Sequence, residues 1–112
     1  LMKFKELIEG NKFSLVVSLP SNNLELAKAA LDGGAQAVKV HCNVWHRASG
    51  HTFGTYAENR EFLQQLITLC KDVPVGLVPG GEDAFITPEE RLELENMGLG
   101  FSAPTVSIYP AI

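Results

Sequence analysis

The most informative segment of the chain is Gly33-Gly34-Ala35-Gln36-Ala37-Val38-Lys39-Val40-His41-Cys42-Asn43. Its paired glycines suit the C-terminus of a helix, where a left-handed backbone costs glycine no Cβ clash. Apolar and polar residues then alternate, in the order Val38, Lys39, Val40, His41, Cys42 and Asn43. This alternation predicts a strand with one apolar and one polar face. If helices cover the apolar face, the polar side chains lie on the other face, at the strand end where α/β proteins place their sites.

The rest of the chain alternates strands with helices. The clearest helix start is Thr87-Pro88-Glu89-Glu90, with a threonine cap, proline at the first helical position and glutamate at the third. We predict strands at 13–19, 37–42, 73–78 and 105–109, and helices at 3–9, 24–31, 55–71 and 88–97. The order is a lead helix followed by βαβαβαβ, which indicates parallel strands joined by right-handed crossovers.

Four parallel strands, a lead helix and three crossover helices correspond to half of a TIM (β/α)8 barrel, which usually has about 250 residues. A flavodoxin-like open sheet is the alternative, but that fold usually has a fifth strand and a final helix. We therefore expect residues 1–112 to be a single domain, the N-terminal half of a TIM barrel. A bare parallel edge strand promotes aggregation, so we expect a missing C-terminal half or self-association to complete the barrel.

Composition excludes several classes of protein. With 46% hydrophobic and 20% charged residues, the chain has the composition of a globular domain rather than a disordered one. We expect no membrane association, because no apolar run approaches the ~18 residues of a membrane helix. The net charge of −4 argues against a nucleic-acid partner. We expect Cys42 and Cys70 to be buried, reduced thiols in a cytoplasmic protein.

Three features resemble the phosphate-binding TIM barrels: the helix ending in Gly33-Gly34-Ala35, the strand 37–42 and the strand 73–78. The arrangement is similar to that of N-acetylmannosamine-6-phosphate 2-epimerases and related sugar-phosphate aldolases. A weaker likeness, to CutC-type barrels, comes from the segments 50–54 and 79–83. The resemblance implies a sugar-phosphate lyase or isomerase. The epimerases would carry a catalytic lysine just after the third strand, where this chain has Pro79-Gly80-Gly81.

The polar residues of the central strand are the candidate catalytic residues. Lys39 is a candidate base or imine-forming nucleophile, because burial can favour a neutral amine. His41 is a candidate for proton transfer near neutral pH, and Asn43 completes the set. The structural alternative is that Lys39 pairs with a carboxylate and that His41 caps a backbone carbonyl.

The candidate anion-binding residues lie at the ends of the strands. The connection 43–54 is longer than the ~2–6 residues usual between a strand and a helix, and it contains charge-assisted donors. The alternatives are a solvated loop anchored by aromatic residues and an ordinary glycine turn. The residues assigned to the small anionic ligand are Ser18, His46, Arg47, Gly80, Gly81 and Glu82.

Histidines 41, 46 and 51 recur every five residues, which raises the question of a metal site. Helical metal sites space histidines at i and i+4, and loop sites usually add cysteine or carboxylate ligands nearby. We therefore predict neither a metal site nor a cofactor. The leading hypothesis is a TIM-barrel lyase or isomerase for a small phosphorylated or carboxylated metabolite. The alternative is a non-catalytic, self-associating half-barrel that binds a ligand without turnover.

Overall fold

A computed structural model describes residues 9–10, 15–46, 50–80 and 85–102 of the chain. It has an α/β fold, with a four-stranded parallel sheet and three helices within these residues. The elements are β1 (Val16–Ser18), α1 (Leu24–Asp32), β2 (Ala37–His41), β3 (Trp45–His46), β4 (His51–Thr52), α2 (Tyr56–Leu69), β5 (Val75–Val78), α3 (Pro88–Met97) and β6 (Phe101–Ser102). In the described ranges, none of the helices has the length and apolarity needed to cross a membrane.

The strands of the parallel sheet follow one another in sequence order, β1-β2-β5-β6. α1 contacts α2 and α2 contacts α3, and all three contribute to one hydrophobic core, so they form one layer on one face of the sheet. A flavodoxin-like sheet reverses direction at its first strand and places helices on both faces. The observed order is that of a singly wound sheet.

Alternation along β2 works as predicted. Val38, Val40 and Cys42 have no exposed surface and pack in the core beneath the helices. Helix residues Leu63, Leu66 and Leu94 complete this core and are equally buried. The polar members of the alternation therefore face away from the helices.

Local sequence signals set the helix ends. Asn23 caps α1 by accepting hydrogen bonds from the amides of Glu25 and Leu26. At the start of α3, Thr87 Oγ1 accepts from Glu90 N at 3.1 Å and Glu90 Oε1 accepts from Thr87 N at 2.8 Å, the predicted reciprocal capping pair. After α1, the backbone of Gly34 is left-handed, with φ of 97°, which explains the second glycine before β2.

The structure also differs from the sequence predictions. The connection 43–54 contains an antiparallel hairpin, β3–β4. β5 begins at Val75 because Pro74 has no amide hydrogen to donate. β6 begins at Phe101, ahead of the predicted strand at 105–109, which lies outside the described residues. Of the predicted lead helix only residues 9–10 are described, and they are helical, so the helix includes Gly10.

A polar cluster joins α2 to α3. The Tyr56 hydroxyl donates to Glu93 Oε1, and Arg60 Nε donates to the same oxygen at 2.5 Å. Arg60 and Tyr56 hold the pKa of Glu93 below its ordinary value by hydrogen bonding to the charged carboxylate. Burial and Glu93 raise the pKa of Tyr56 to about 12. Arg60 and Glu93 are both about half exposed, so their ion pair contributes little to stability.

Candidate functional site

One row of residues crosses the sheet on the face turned away from α1, α2 and α3, which we call the far face. The strand register aligns Ser18 with Lys39, Lys39 with Gly76 and Gly76 with Phe101. One step closer to the carboxyl ends of the strands, His41 aligns with Val78. Two predicted catalytic residues and one predicted anion-binding residue, Ser18, therefore share a face and lie in adjacent rows.

Lys39 is half-buried between two small neighbours. On one side is Ser18, whose hydroxyl oxygen is buried and has no hydrogen-bond partner within the described part of the chain. On the other side is Gly76, where a Cβ atom would lie 2.1 Å from ring carbons of Phe101. The ring of Phe101 thus occupies the space that a side chain at position 76 would need. The described ranges contain no ion pair of Lys39, so its predicted carboxylate partner is not among them.

His41 lies beneath an aromatic ring. His41 is 6% exposed and Phe53 is 2% exposed. Their rings stack with a centroid separation of 4.9 Å and an interplanar angle of 26°. Phe53 follows directly after β4, so the hairpin returns to the sheet at this point. The stack shields the imidazole from bulk water.

Asn43 ties the ends of two strands together. Its backbone is left-handed, with φ of 58°, a conformation that asparagine tolerates better than most residues. The backbone amide of Asn43 donates to Gly54 O at 2.8 Å, and this hydrogen bond closes the base of the hairpin loop. Its Nδ2 donates to Pro79 O at 3.3 Å, at the carboxyl end of β5. Gly80 follows there, buried and bridged to Phe85.

The remaining predicted residues divide into two groups. The backbone of His46 lies in β3 directly opposite His51, which places two of the three histidines at one register position of the hairpin. Arg47, Gly81 and Glu82 lie outside the described residues. Within the described ranges, His, Cys, Asp and Glu residues do not form a cluster of three or more suited to a metal ion.

The two thiols lie in the core beneath the helices and are poor nucleophiles. Burial, and secondarily the charge of Glu90, raises the pKa of Cys42 to about 12. Burial also raises the pKa of Cys70. Because the thiolate is the reactive form, both cysteines act as core residues, as the sequence predicts.

A cavity of about 350 Å³ lies close to the carboxyl ends of β5 and β6. Its walls include Leu77, Leu99 and the side chains Arg91 and Glu95 of α3. Leu77 belongs to the core under the helices, so this cavity lies on the α3 side of the sheet. Its lining also includes Phe101, whereas Lys39 does not line it.

Sequence reasoning missed four residues at the site. Phe53 lies in a polar, glycine-containing connection, and Asn22 directly precedes the cap of α1, so neither residue carries a signal for a site. Asn59 is one of several polar residues in the predicted helix 55–71, and nothing in its sequence context distinguishes it as a site residue. Gly76 carried a usable signal, because a glycine inside a strand often marks the close approach of another group.

Comparison with known proteins adds no relative. No protein-family model, curated protein or solved structure matches this chain.

Proposed function

We propose that this chain forms part of a (β/α)-barrel enzyme, a lyase or isomerase acting on a small phosphorylated or carboxylated metabolite. The observation that carries the proposal is the row Ser18-Lys39-Gly76 on the far face, with His41 one step closer to the carboxyl edge. In barrel enzymes, catalytic groups lie at the carboxyl ends of inward-facing strand positions. Under this proposal the far face is the barrel interior.

Sequential strand order supports this architecture. A barrel forms when a singly wound sheet continues to curve until its edges meet. In the described part of the sheet, β1 pairs only with β2 and β6 pairs only with β5. Under the proposal, further βα units or a second copy of the chain pair with these two edges. Light scattering with and without inorganic phosphate distinguishes the two forms, since only self-association gives a discrete dimer of this 112-residue chain.

The chemistry proposed for Lys39 is imine formation. The neutral amine attacks a substrate carbonyl carbon, water leaves, and the resulting iminium withdraws electrons from the neighbouring carbon. That carbon then loses a proton or a carbon–carbon bond breaks, and His41 accepts or returns the proton. The small neighbour Ser18 leaves lateral space on one side of the amine, and the ring of Phe101 covers Gly76 on the other side. His46, Arg47 and the segment 80–82 are assigned to the anionic group of the substrate, and Asn43 holds the strand ends.

Borohydride trapping tests this proposal. The chain is incubated with glyceraldehyde 3-phosphate or pyruvate, reduced, digested and mapped by mass spectrometry. We expect the reduced adduct on Lys39, its loss in Lys39→Ala, and its retention in Lys28→Ala. Lys28 is a matched control because it is an exposed lysine of α1, paired only with Glu25 across one turn.

Labelling of Lys39 that is no stronger than the labelling of exposed lysines such as Lys28 would contradict imine chemistry at Lys39. Competition separates anion binding from carbonyl chemistry. Under the proposal, inorganic phosphate lowers labelling by glyceraldehyde 3-phosphate at Lys39 and leaves labelling at Lys28 unchanged. Ligand-dependent stabilisation without any adduct at Lys39 favours the non-catalytic binding module.

A further inference from the structure

The side chain of Asn22 donates the hydrogen bond that follows the last backbone hydrogen bond between β1 and β2. Between β1 and β2, Leu19 N donates to Lys39 O at 2.9 Å. The next bond of a parallel ladder would run from the amide of residue 21 to the carbonyl of His41. Pro20 ends the strand and the chain turns into α1. Asn22 Nδ2 instead donates to His41 O at 3.0 Å.

The orientation of the Asn22 amide is fixed by a chain of hydrogen bonds. Asn59 Nδ2 donates to the backbone carbonyl of Thr55 at 2.8 Å, and a carbonyl only accepts, so Asn59 Oδ1 is left as an acceptor. Asn22 Nδ2 donates to that oxygen at 2.8 Å. Asn22 therefore faces two acceptors, and rotating its amide by 180° would bring oxygen against oxygen at both.

The peptide unit that follows His41 is consequently held from both sides. Its carbonyl accepts from Asn22, and its amide, that of Cys42, donates to Val78 O at 3.0 Å. A peptide unit is planar, so two opposed hydrogen bonds fix its plane and restrict rotation about the backbone of His41. The imidazole direction at the end of β2 depends on that backbone, as does its stack on Phe53.

We propose that Asn22 is a positioning residue for His41, acting through the backbone carbonyl rather than through contact with a substrate. Asn59 relays this restraint to the first turn of α2, so the β1–α1 loop, the end of β2 and α2 are held together. The effect of this positioning on catalysis rests on the proposed function, because a fixed imidazole affects turnover only if His41 moves a proton. The positional consequence is independent of any reaction.

Two aspartate variants distinguish the donor role of Asn22 from the acceptor role of Asn59. Asn22→Asp removes both donors and turns a carboxylate toward two acceptors. Asn59→Asp keeps the acceptor that Asn22 needs, loses the bond to Thr55 and turns a carboxylate toward that one carbonyl. Asn22→Ala removes the donors without adding charge, which provides a second test if Asn22→Asp fails to fold. The readout is the ring-proton shift of His41 in ¹H–¹³C spectra, assigned with His41→Gln. Phe53→Leu gives the full size of the ring-current contribution.

We expect Asn22→Ala and Asn22→Asp to move the His41 ring signals toward their position in Phe53→Leu, and Asn59→Asp to leave them near wild type. Core methyl signals, such as those of Leu94, stay unchanged in a folded variant and provide the control. Unchanged His41 signals in a folded Asn22→Ala protein would overturn the proposal. If these signals move but no adduct forms at Lys39, the positioning role stands and the proposed imine chemistry fails.

Discussion

Replacing Gly76 by alanine tests the packing that builds the far face. A Cβ atom at position 76 would lie 2.1 Å from two ring carbons of Phe101, well inside van der Waals contact. The ring must therefore leave the surface of β5 or force β6 away from it. Overpacking of this kind costs typically about 1–3 kcal/mol. The strand backbone of Gly76 suits alanine, which offsets about 0.4–1 kcal/mol by restricting the unfolded chain.

The net expectation for Gly76→Ala is a free energy of unfolding lower by about 1.3 kcal/mol, the difference between the midpoints of these two ranges. Removing the ring of Phe101 should reverse the sign of the effect that Gly76→Ala has on the free energy of unfolding. In a Phe101→Ala background the steric conflict is absent, so Gly76→Ala should stabilise by about 0.4–1 kcal/mol. The two substitutions are therefore strongly non-additive, as expected for residues in direct contact.

Urea denaturation of the four proteins of this double-mutant cycle measures the coupling. Unfolding is monitored by far-UV circular dichroism. The midpoints and slopes of the transitions are compared for wild type, both single variants and the double variant. Additive effects, with Gly76→Ala equally costly in both backgrounds, would refute the contact between this ring and β5. A change in slope for Gly76→Ala alone would show that the substitution alters the compactness of the native or denatured state or breaks two-state unfolding.

The capping pair of α3 predicts that Thr87→Ala lowers the free energy of unfolding by about 1 kcal/mol, and that Glu90→Ala lowers it less, in urea titrations. Because burial raises the pKa of Cys42 and Cys70, neither thiol should react with a disulfide reagent at pH 8 until the protein is unfolded by urea; rapid reaction of the native chain would contradict the assigned burial. Native contacts lower the pKa of Glu93, so they contribute stability that is present above its ordinary value of 4.5 and lost as the pH falls through the lower native pKa. Glu93→Gln should therefore weaken the pH dependence of the urea midpoint below pH 4.5, and an unchanged dependence would count against the cluster.

Sequence signals predicted much of the fold because they act locally. The alternation in β2 predicts which face of the sheet each side chain occupies, since Val38 and Val40 lie beneath the helices and Lys39 does not. The Thr87-Pro88 start of α3 works for the same reason, because its partners lie within one turn. Parallel pairing followed from the alternation of strands and helices, and the structure agrees.

The features that sequence reasoning missed depend on residues far apart in the chain. Asn22 meets Asn59 across 37 positions, and neither residue is unusual in its own segment. The stack of Phe53 on His41 requires the hairpin to return to the sheet, which a polar, glycine-containing connection does not specify. The absence of a side chain at Gly76 is explained only once the register is known, because the ring of Phe101 packs against that position.

The sequential strand order also bears on how the chain acquires its structure during synthesis. Each strand of the described sheet pairs with the strand that emerged before it, at an edge that is still open. None of these strands has to be inserted between two that are already paired, so each βα unit adds to a preformed template. Every new strand then closes a loop of one helix and its connections, and the entropy of loop closure stays similar at each step. The sheet is therefore suited to growth from its N-terminal edge while the ribosome is still supplying the rest.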